Sequence, residues 1–259
     1  MKHSFLTRSF IVALTLFGSA IGICHSENIN NQDPQGFWWG KSSNGYDIAA
    51  VVLEDGSYYS LYEKEGIVYG INYGNMQVSG SSFKGSLSDV SIPTNTVTTG
   101  KIAGSFVPQK TLSGTSTFDD GSSGTFDTSY LSSYDTPASL DEVKGKYVGP
   151  YGHKKRHVEL KIAQDGRVNG TMALDSASTP ICLITGNVVP RPSGKNVYDL
   201  TLMWGHNPAS STPCCAGKVC ATNTPTTGIA VLRSNATYLY TAWINAAKSS
   251  GFLWVGKKD

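Results

Sequence analysis

The sequence predicts an all-β protein of two tandem small antiparallel domains, each a β-barrel or a sandwich. Three observations predict it. Charged residues are only 15% of the chain, well below the roughly 25% usual in soluble domains, while Gly (28) and Tyr (13) are frequent. That composition suits strands and tight turns. Short alternating apolar runs are separated by turn residues at intervals of about 8–12 residues, the spacing of sandwiches and barrels. One unit motif also occurs twice, and 259 residues exceed a single average domain of about 100–200.

Residues 1–26 read as a secretory signal peptide. Lys2, His3 and Arg8 form a basic start, and Phe10 to Ile23 form a charge-free apolar stretch. At about 14 residues the stretch is short for a spanning helix of about 20. Cleavage after Ser26 places Cys24 and Ser26 at −3 and −1, and cleavage after Gly22 is the second option. Ile23 is too bulky for the residue that normally precedes a lipidated Cys. No later run is apolar enough to span a bilayer, so no transmembrane segment is expected after signal removal. The segment holds no Asp or Glu. The 21 basic residues of the chain less Lys2 and Arg8 leave 19, against 19 acidic. A neutral mature chain excludes non-specific nucleic-acid binding, which needs a surplus of Lys and Arg facing phosphate.

After a linker over 27–35, the first β-barrel domain is expected over 36–132, a second linker over 133–144 and the second domain over 145–259. The two units open alike. Gly36-Phe37-Trp38-Trp39-Gly40 and Gly145-Lys146-Tyr147-Val148-Gly149 both fit G-x-aromatic-x-G. Each is followed by an apolar strand and an Asp-Gly turn, at Asp55-Gly56 and Asp165-Gly166. Asp-Gly between alternating runs marks a hairpin, because Gly accepts the positive φ of the turn. A third match aligns Ile102-Ala103-Gly104-Ser105-Phe106-Val107-Pro108 with Ile184-Thr185-Gly186-Asn187-Val188-Val189-Pro190. It makes the first copy about 28 residues longer between turn and third motif. The one helical turn expected is Asp141–Lys144, with Ser139 as its cap.

The opening Gly36-x-Trp38 resembles the first strand of lipocalin and avidin barrels, where the Gly lets the chain bend and the Trp plugs one end. The longer runs Val52-Leu53-Glu54-Asp55-Gly56-Ser57-Tyr58-Tyr59 and Ser133-Tyr134-Asp135-Thr136-Pro137-Ala138-Ser139-Leu140 resemble a family of uncharacterised exported two-domain β proteins of proteobacteria. So do Gly194-Lys195-Asn196-Val197-Tyr198-Asp199-Leu200-Thr201-Leu202 and the ending Gly251-Phe252-Leu253-Trp254-Val255-Gly256. That resemblance implies no activity, since none is assigned to the family. In its pattern one Cys near Cys182 faces one later Cys. The architecture is also similar to the barrel lobes of bacterial surface transferrin-binding proteins.

Export implies an oxidising compartment, so the mature Cys182, Cys214, Cys215 and Cys220 are expected in disulfides. Cys182 pairs with Cys214 or Cys215, and Cys220 with the other of the two. A rare vicinal bridge would leave Cys182–Cys220. Adjacent Cys followed by a five-residue step is not a zinc knuckle, so no metal is expected.

Catalytic patterns are missing: there is no G-x-S-x-G, H-E-x-x-H or P-loop, and the Ser81–Lys84 match to S-x-x-K lacks a helix. No cofactor is implied. Five residues remain as ligand-binding candidates. Trp39 and Tyr59 neighbour Trp38 and Tyr58 on strands, so each pair offers one ring to the core and one to the outside. His153 and His157 would share a strand face with Lys155. His206 lies in a loop-like run beside the Cys cluster. Trp204, Trp243 and Trp254 are expected to close the second barrel. The reading is an exported, non-enzymatic binding or interaction protein of the cell envelope, located in the periplasm, at the outer surface or secreted. Its partner is an unknown protein or small molecule. The alternatives are a carrier of a small apolar ligand in one barrel, and an enzyme or enzyme inhibitor working through barrel-mouth loops. An open lumen favours the carrier; a plugged core favours surface binding.

Overall fold

Backbone pairing closes two eight-stranded antiparallel barrels, which decides for barrels over sandwiches. The computed structural model describes residues 33–259 except 95, 152–155, 177–178, 213, 215–222, 224, 234 and 246–250. The first barrel comprises β1 (Gly36–Ser42), β2 (Asp47–Val52), β3 (Ser57–Lys64), β4 (Ile67–Ser79), β5 (Ser82–Ser91), β6 (Thr96–Val107), β7 (Thr111–Phe118) and β8 (Ser123–Tyr130). The second comprises β9 (Gly145–Tyr151), β10 (Arg156–Ile162), β11 (Arg167–Leu174), β12 (Cys182–Pro190), β13 (Tyr198–His206), β14 (Pro225–Arg233), β15 (Tyr238–Ile244) and β16 (Gly251–Lys258). Every strand pairs with its chain neighbour, and the first pairs with the last. Among the described residues neither sheet presents a free edge strand.

The repeated opening motif has one structural meaning. Its aromatic residue points into the lumen and is fully buried in both barrels, as Trp38 and Tyr147. Each then hydrogen-bonds a carbonyl four residues back: Trp38 Nε1 donates to Pro34 O at 2.9 Å, and the Tyr147 hydroxyl to Val143 O at 3.0 Å. The turns after the second strands also match. Gly56 and Gly166 have φ of 79° and 81°. Asp55 and Asp165 accept from the backbone N–H two residues on. The carbonyls of Gly56 and Gly166 accept from Met76 N and Val188 N at 2.7 and 2.8 Å.

Those last two bonds correct the third sequence match. They make Met76 the counterpart of Val188, and hence Gly74-Asn75-Met76 the counterpart of Gly186-Asn187-Val188. A Cβ on Gly74 would fall on Ser86 O and one on Gly186 on Thr201 O, so both strands are approached closely by the next. Ile102–Val107 belongs to a sixth strand, whereas Ile184–Pro190 belongs to a fourth. The I-x-G-x-x-V-P likeness therefore pairs positions that are not equivalent. The inferred 28-residue excess disappears with it: Gly74 follows Gly56 by 18 residues and Gly186 follows Gly166 by 20. Strands of one barrel share a period of two and a taste for Gly, so strings from different strands align as well as true counterparts.

The barrels pack side by side. Phe37, Ala49, Val51, Leu61 and Ile71 on the outside of the first form one buried cluster with Ile229, Val231, Tyr240, Ala242 and Leu253 on the outside of the second. Strands in this seam are apolar on both faces, as in Asp47–Val52 and Tyr238–Ile244, while β7 and β8 alternate with exposed polar residues. The segment between the barrels is part of the packing. It forms a 3-10 turn (Ser132–Asp135) and a short helix α1 (Leu140–Val143), whose cap Ser139 accepts from Asp141 N at 3.2 Å. Tyr134 and Val143 are buried. Arg191, after β12, bonds Glu54 of the first barrel at 2.7 Å and Asp199 of the second at 2.6 Å. No helix among the described residues is long and apolar enough to cross a membrane.

Candidate functional site

The first barrel contains a cup of about 280 Å³ inside its lumen. Its lower wall is apolar: Ile48, Ala50, Met76, Ile102 and Leu112. Its rim carries Asn44 and Thr125, which are exposed. Between them lies a polar belt. Ser60 on β3 stands opposite Asn72 on β4, and Asn72 opposite Asp89 on β5. All three line the cup. Directly opposed side chains on neighbouring strands have Cβ atoms about 4.5–5.5 Å apart, so these three form one row.

Asp89 is the one formally charged residue among the described residues lining the cup. Burial pushes its carboxyl up to about 6, against the opposing hydrogen bond from the Tyr62 hydroxyl. Burial likewise raises Tyr62, and the charge of Asp89 raises it further. Tyr46 stacks edge-on against Tyr62, with ring centroids 5.4 Å apart. Several polar groups of the wall are satisfied internally. Thr128 Oγ1 donates to Leu112 O at 2.7 Å, and the Tyr58 hydroxyl to Ser86 O at 3.0 Å. Asn72 Oδ1 differs: it is buried and has no hydrogen-bond partner.

The same level of the second barrel is filled. Register makes Asp89 the counterpart of Trp204, Asn72 of Ile184, Tyr62 of Met172 and Ser42 of Tyr151. Trp204, Trp243, Phe252 and Tyr151 stack there: Tyr151–Phe252 at 4.2 Å, Trp243–Phe252 at 4.3 Å and Trp204–Phe252 at 4.5 Å. Trp254 is buried in the same core and donates from Nε1 to Gly149 O at 3.1 Å. These three tryptophans close the second barrel as the sequence predicts. Cys182 and Cys214 form a disulfide beside them, and both are buried. Cys215 and Cys220 lie outside the described residues.

The residues singled out from sequence do not gather at the cup. Trp39 and Tyr59 pack into the seam between the barrels. The Arg233 guanidinium covers the Trp39 ring at 3.7 Å, and Trp39 meets Tyr240 edge-on at 6.2 Å. Both rings lie on the outer face of their strands, and that face meets the second barrel rather than solvent, which removes them as exposed ligand-binding rings. His157 is on β10, 3.1 Å from Asp175. His206 is exposed at the end of β13, opposite Cys182. His153 lies outside the described residues. Sequence reasoning missed Asp89, Asn72, Tyr62 and Ser60. One trace of them was present: Phe83, Gly85, Leu87 and Asp89 share one strand phase, which puts a carboxylate on a core face.

No protein-family model matches the chain, and no curated protein matches it. Among solved structures it is similar to isotype 1 transferrin binding protein B from serogroup B Neisseria meningitidis, at 11% identity and a TM-score of 0.34, covering 83% of this chain and 59% of that one. Intact Ap-TbpB, with N and C lobes, is similar at 7% identity and 0.33, covering 83% and 66%. A transferrin binding protein B variant from Haemophilus parasuis Hp5 gives 7% and 0.33, with the same coverage. The chain thus spans about three-fifths to two-thirds of those proteins' length. The resemblance to exported proteobacterial proteins rests on the sequence motifs alone.

Proposed function

We propose that this is an exported binding protein that holds a small molecule in the lumen of its first barrel, with the second barrel as a filled support. One observation carries the reading. At equivalent positions the second barrel fills its lumen with Trp204, Ile184, Met172 and Tyr151, whereas the first leaves a cup lined by Asp89, Asn72, Tyr62 and Ser42. Asn72 Oδ1, the one unpartnered buried side-chain atom of the described cup lining, belongs to the wall of an open space, whereas Trp204 Nε1 and Trp243 Nε1, unpartnered in the second barrel, lie within a packed stack; only the cup has room for a ligand to meet such a group.

The reading takes up the carrier alternative and changes its ligand, because a belt holding a carboxylate, an amide and a serine hydroxyl suits an amphipathic molecule better than an apolar one. It is a reading of binding rather than catalysis. Removal of residues 1–26, with maturation in an oxidising compartment, belongs to the same proposal, and the buried Cys182–Cys214 bridge supports it.

Native mass spectrometry of the mature protein purified from its own cell envelope tests the reading. The expected result is a retained adduct of a few hundred daltons that Ala50→Trp, which fills the cup floor, abolishes. A bare mass for the wild-type protein, together with no uptake of any small-molecule probe, overturns it.

A further inference from the structure

We propose that the first-barrel cup takes a small ligand with a protonated amine at one end and an apolar body, the amine seated between Asp89 and Asn72. This rests on the reading of the cup as a ligand site and goes further, by assigning the chemistry of the ligand's polar end.

The charge of the lining comes first. Asp89 is its one formally charged described residue, so the cup presents a single negative charge in a partly buried space. An anionic head group would meet it with repulsion and no compensating cation. A neutral alcohol or sugar would leave the carboxylate without a counter-charge. A cation supplies one, and charge-assisted hydrogen bonds are about twice as strong as neutral ones.

The acceptors come next. An ammonium has three donors and no acceptor. Asn72 Oδ1 is buried and unpartnered, one strand away from Asp89 in the same cross-strand row. Ser60 continues that row on the far side of Asn72. Carboxylate, amide oxygen and hydroxyl therefore offer three acceptors along one line of the wall. A buried acceptor without a partner is unfavourable, and a donor from the ligand removes that penalty. Tyr62 stands beside the carboxylate and Tyr46 beside Tyr62, so the cup also offers aromatic rings to a cation. Below the belt, Ala50, Met76, Ile102 and Leu112 form a floor that suits a hydrocarbon body, which fixes the ligand's direction: amine at the belt, apolar end deep. In the empty cup, burial already pulls Asp89 toward holding a proton. Above the carboxyl's titration range the ammonium supplies the counter-charge that the proton supplies below it.

The test uses the oxidised mature protein at pH 7.5 and three probes of similar size: 2-phenylethylamine, 2-phenylethanol and 3-phenylpropanoate. Affinities are read by calorimetry and by chemical shifts of the lumen residues. The amine is expected to bind about ten-fold or more tighter than the alcohol, and the carboxylate not to bind. Asp89→Asn is expected to bring the amine down to the level of the alcohol while leaving the alcohol within about two-fold. Asn72→Leu keeps the charge and removes the orphan acceptor; it is expected to weaken the amine several-fold while leaving it tighter than the alcohol, which keeps the proposal testable if one variant folds poorly. Equal binding of amine and alcohol, tighter binding of the carboxylate, or no effect of Asp89→Asn overturns the amine assignment and leaves the cup reading standing. If no probe binds but the envelope-purified protein carries an adduct without a basic nitrogen, the amine assignment falls alone. If no probe binds and no adduct is found, both readings fall.

Discussion

The two barrels share an opening motif, a second turn and a strand plan, yet one is filled and the other is hollow at the same height. In the second barrel Trp204, Trp243, Phe252 and Tyr151 stack across the lumen, and the Cys182–Cys214 bridge ties the adjoining segment to it. In the first, small and polar residues stand at the matching positions around about 280 Å³ of space. Strand plan and lumen content are thus separable. Backbone ladders and tight turns close a barrel, and a handful of inward residues decide whether it is a core or a container.

The largest expected effect comes from breaking the filled side. Trp204→Ala should lower stability by about 3–5 kcal/mol, the usual penalty for truncating a buried tryptophan, as read by denaturant unfolding. It should also let a small apolar solute such as benzene into the second barrel. A loss below 1 kcal/mol would mean that the stack is not the second barrel's core.

The bridge comes next. Replacing Cys182 and Cys214 together by Ser should cost about 2–4 kcal/mol for a loop of this size. The cost should vanish when wild-type and variant are compared under full reduction. An unchanged midpoint under oxidising conditions would remove the bridge from the comparison.

The smallest effect has the opposite sign and belongs to the hollow side. Burial raises the Asp89 carboxyl to about 6 in the folded protein, from 3.8. A raised folded value stabilises the fold fully below the unfolded one, and that contribution is lost as pH rises through 6. The facing titratable group is Tyr62 from β3, which burial holds protonated through this range; β4 and β6 bring the uncharged Asn72 and Thr98. Above pH 6 the empty cup therefore holds an unfavourable charge. Asp89→Asn should raise the stability of the ligand-free protein by on the order of 2 kcal/mol at pH 8, after allowance for partial exposure, with the gain disappearing below about pH 4. Thermal unfolding at the two pH values checks it. A variant less stable than wild type at pH 8 would make Asp89 a structural residue and erase the contrast with Trp204.

Much of the fold was legible in the chain and little of the site was. Asp55-Gly56 and Asp165-Gly166 announced hairpins because few residues other than Gly adopt φ near 80°. Trp38 and Tyr147 were marked by their spacing from flanking glycines. Trp39 and Tyr59 were placed on the correct face and given the wrong neighbour, since outward-facing rings look alike in sequence whether water or a second barrel lies beyond them. The uninterrupted apolar run Ile48–Leu53, and the run Leu239–Ile244 broken only by Thr241, are the readable sign of that seam, because a strand covered on both sides loses its alternation.

The sequence by itself determined the all-β class, the two units, the positions of the first hairpins and a short set of pairings for Cys182. These follow from local rules: φ preference at glycine, a period of two along a strand, and the redox logic of the oxidising compartment that the sequence leads one to expect. Only the tertiary structure decided which fourth strands correspond, that Cys182 joins Cys214, that the barrels bury a common face, and that one lumen is open. The physical reason is that lumen volume is a sum over side chains from eight strands far apart in the chain. Period two says that a residue faces inward; it does not say what seven other strands bring to meet it.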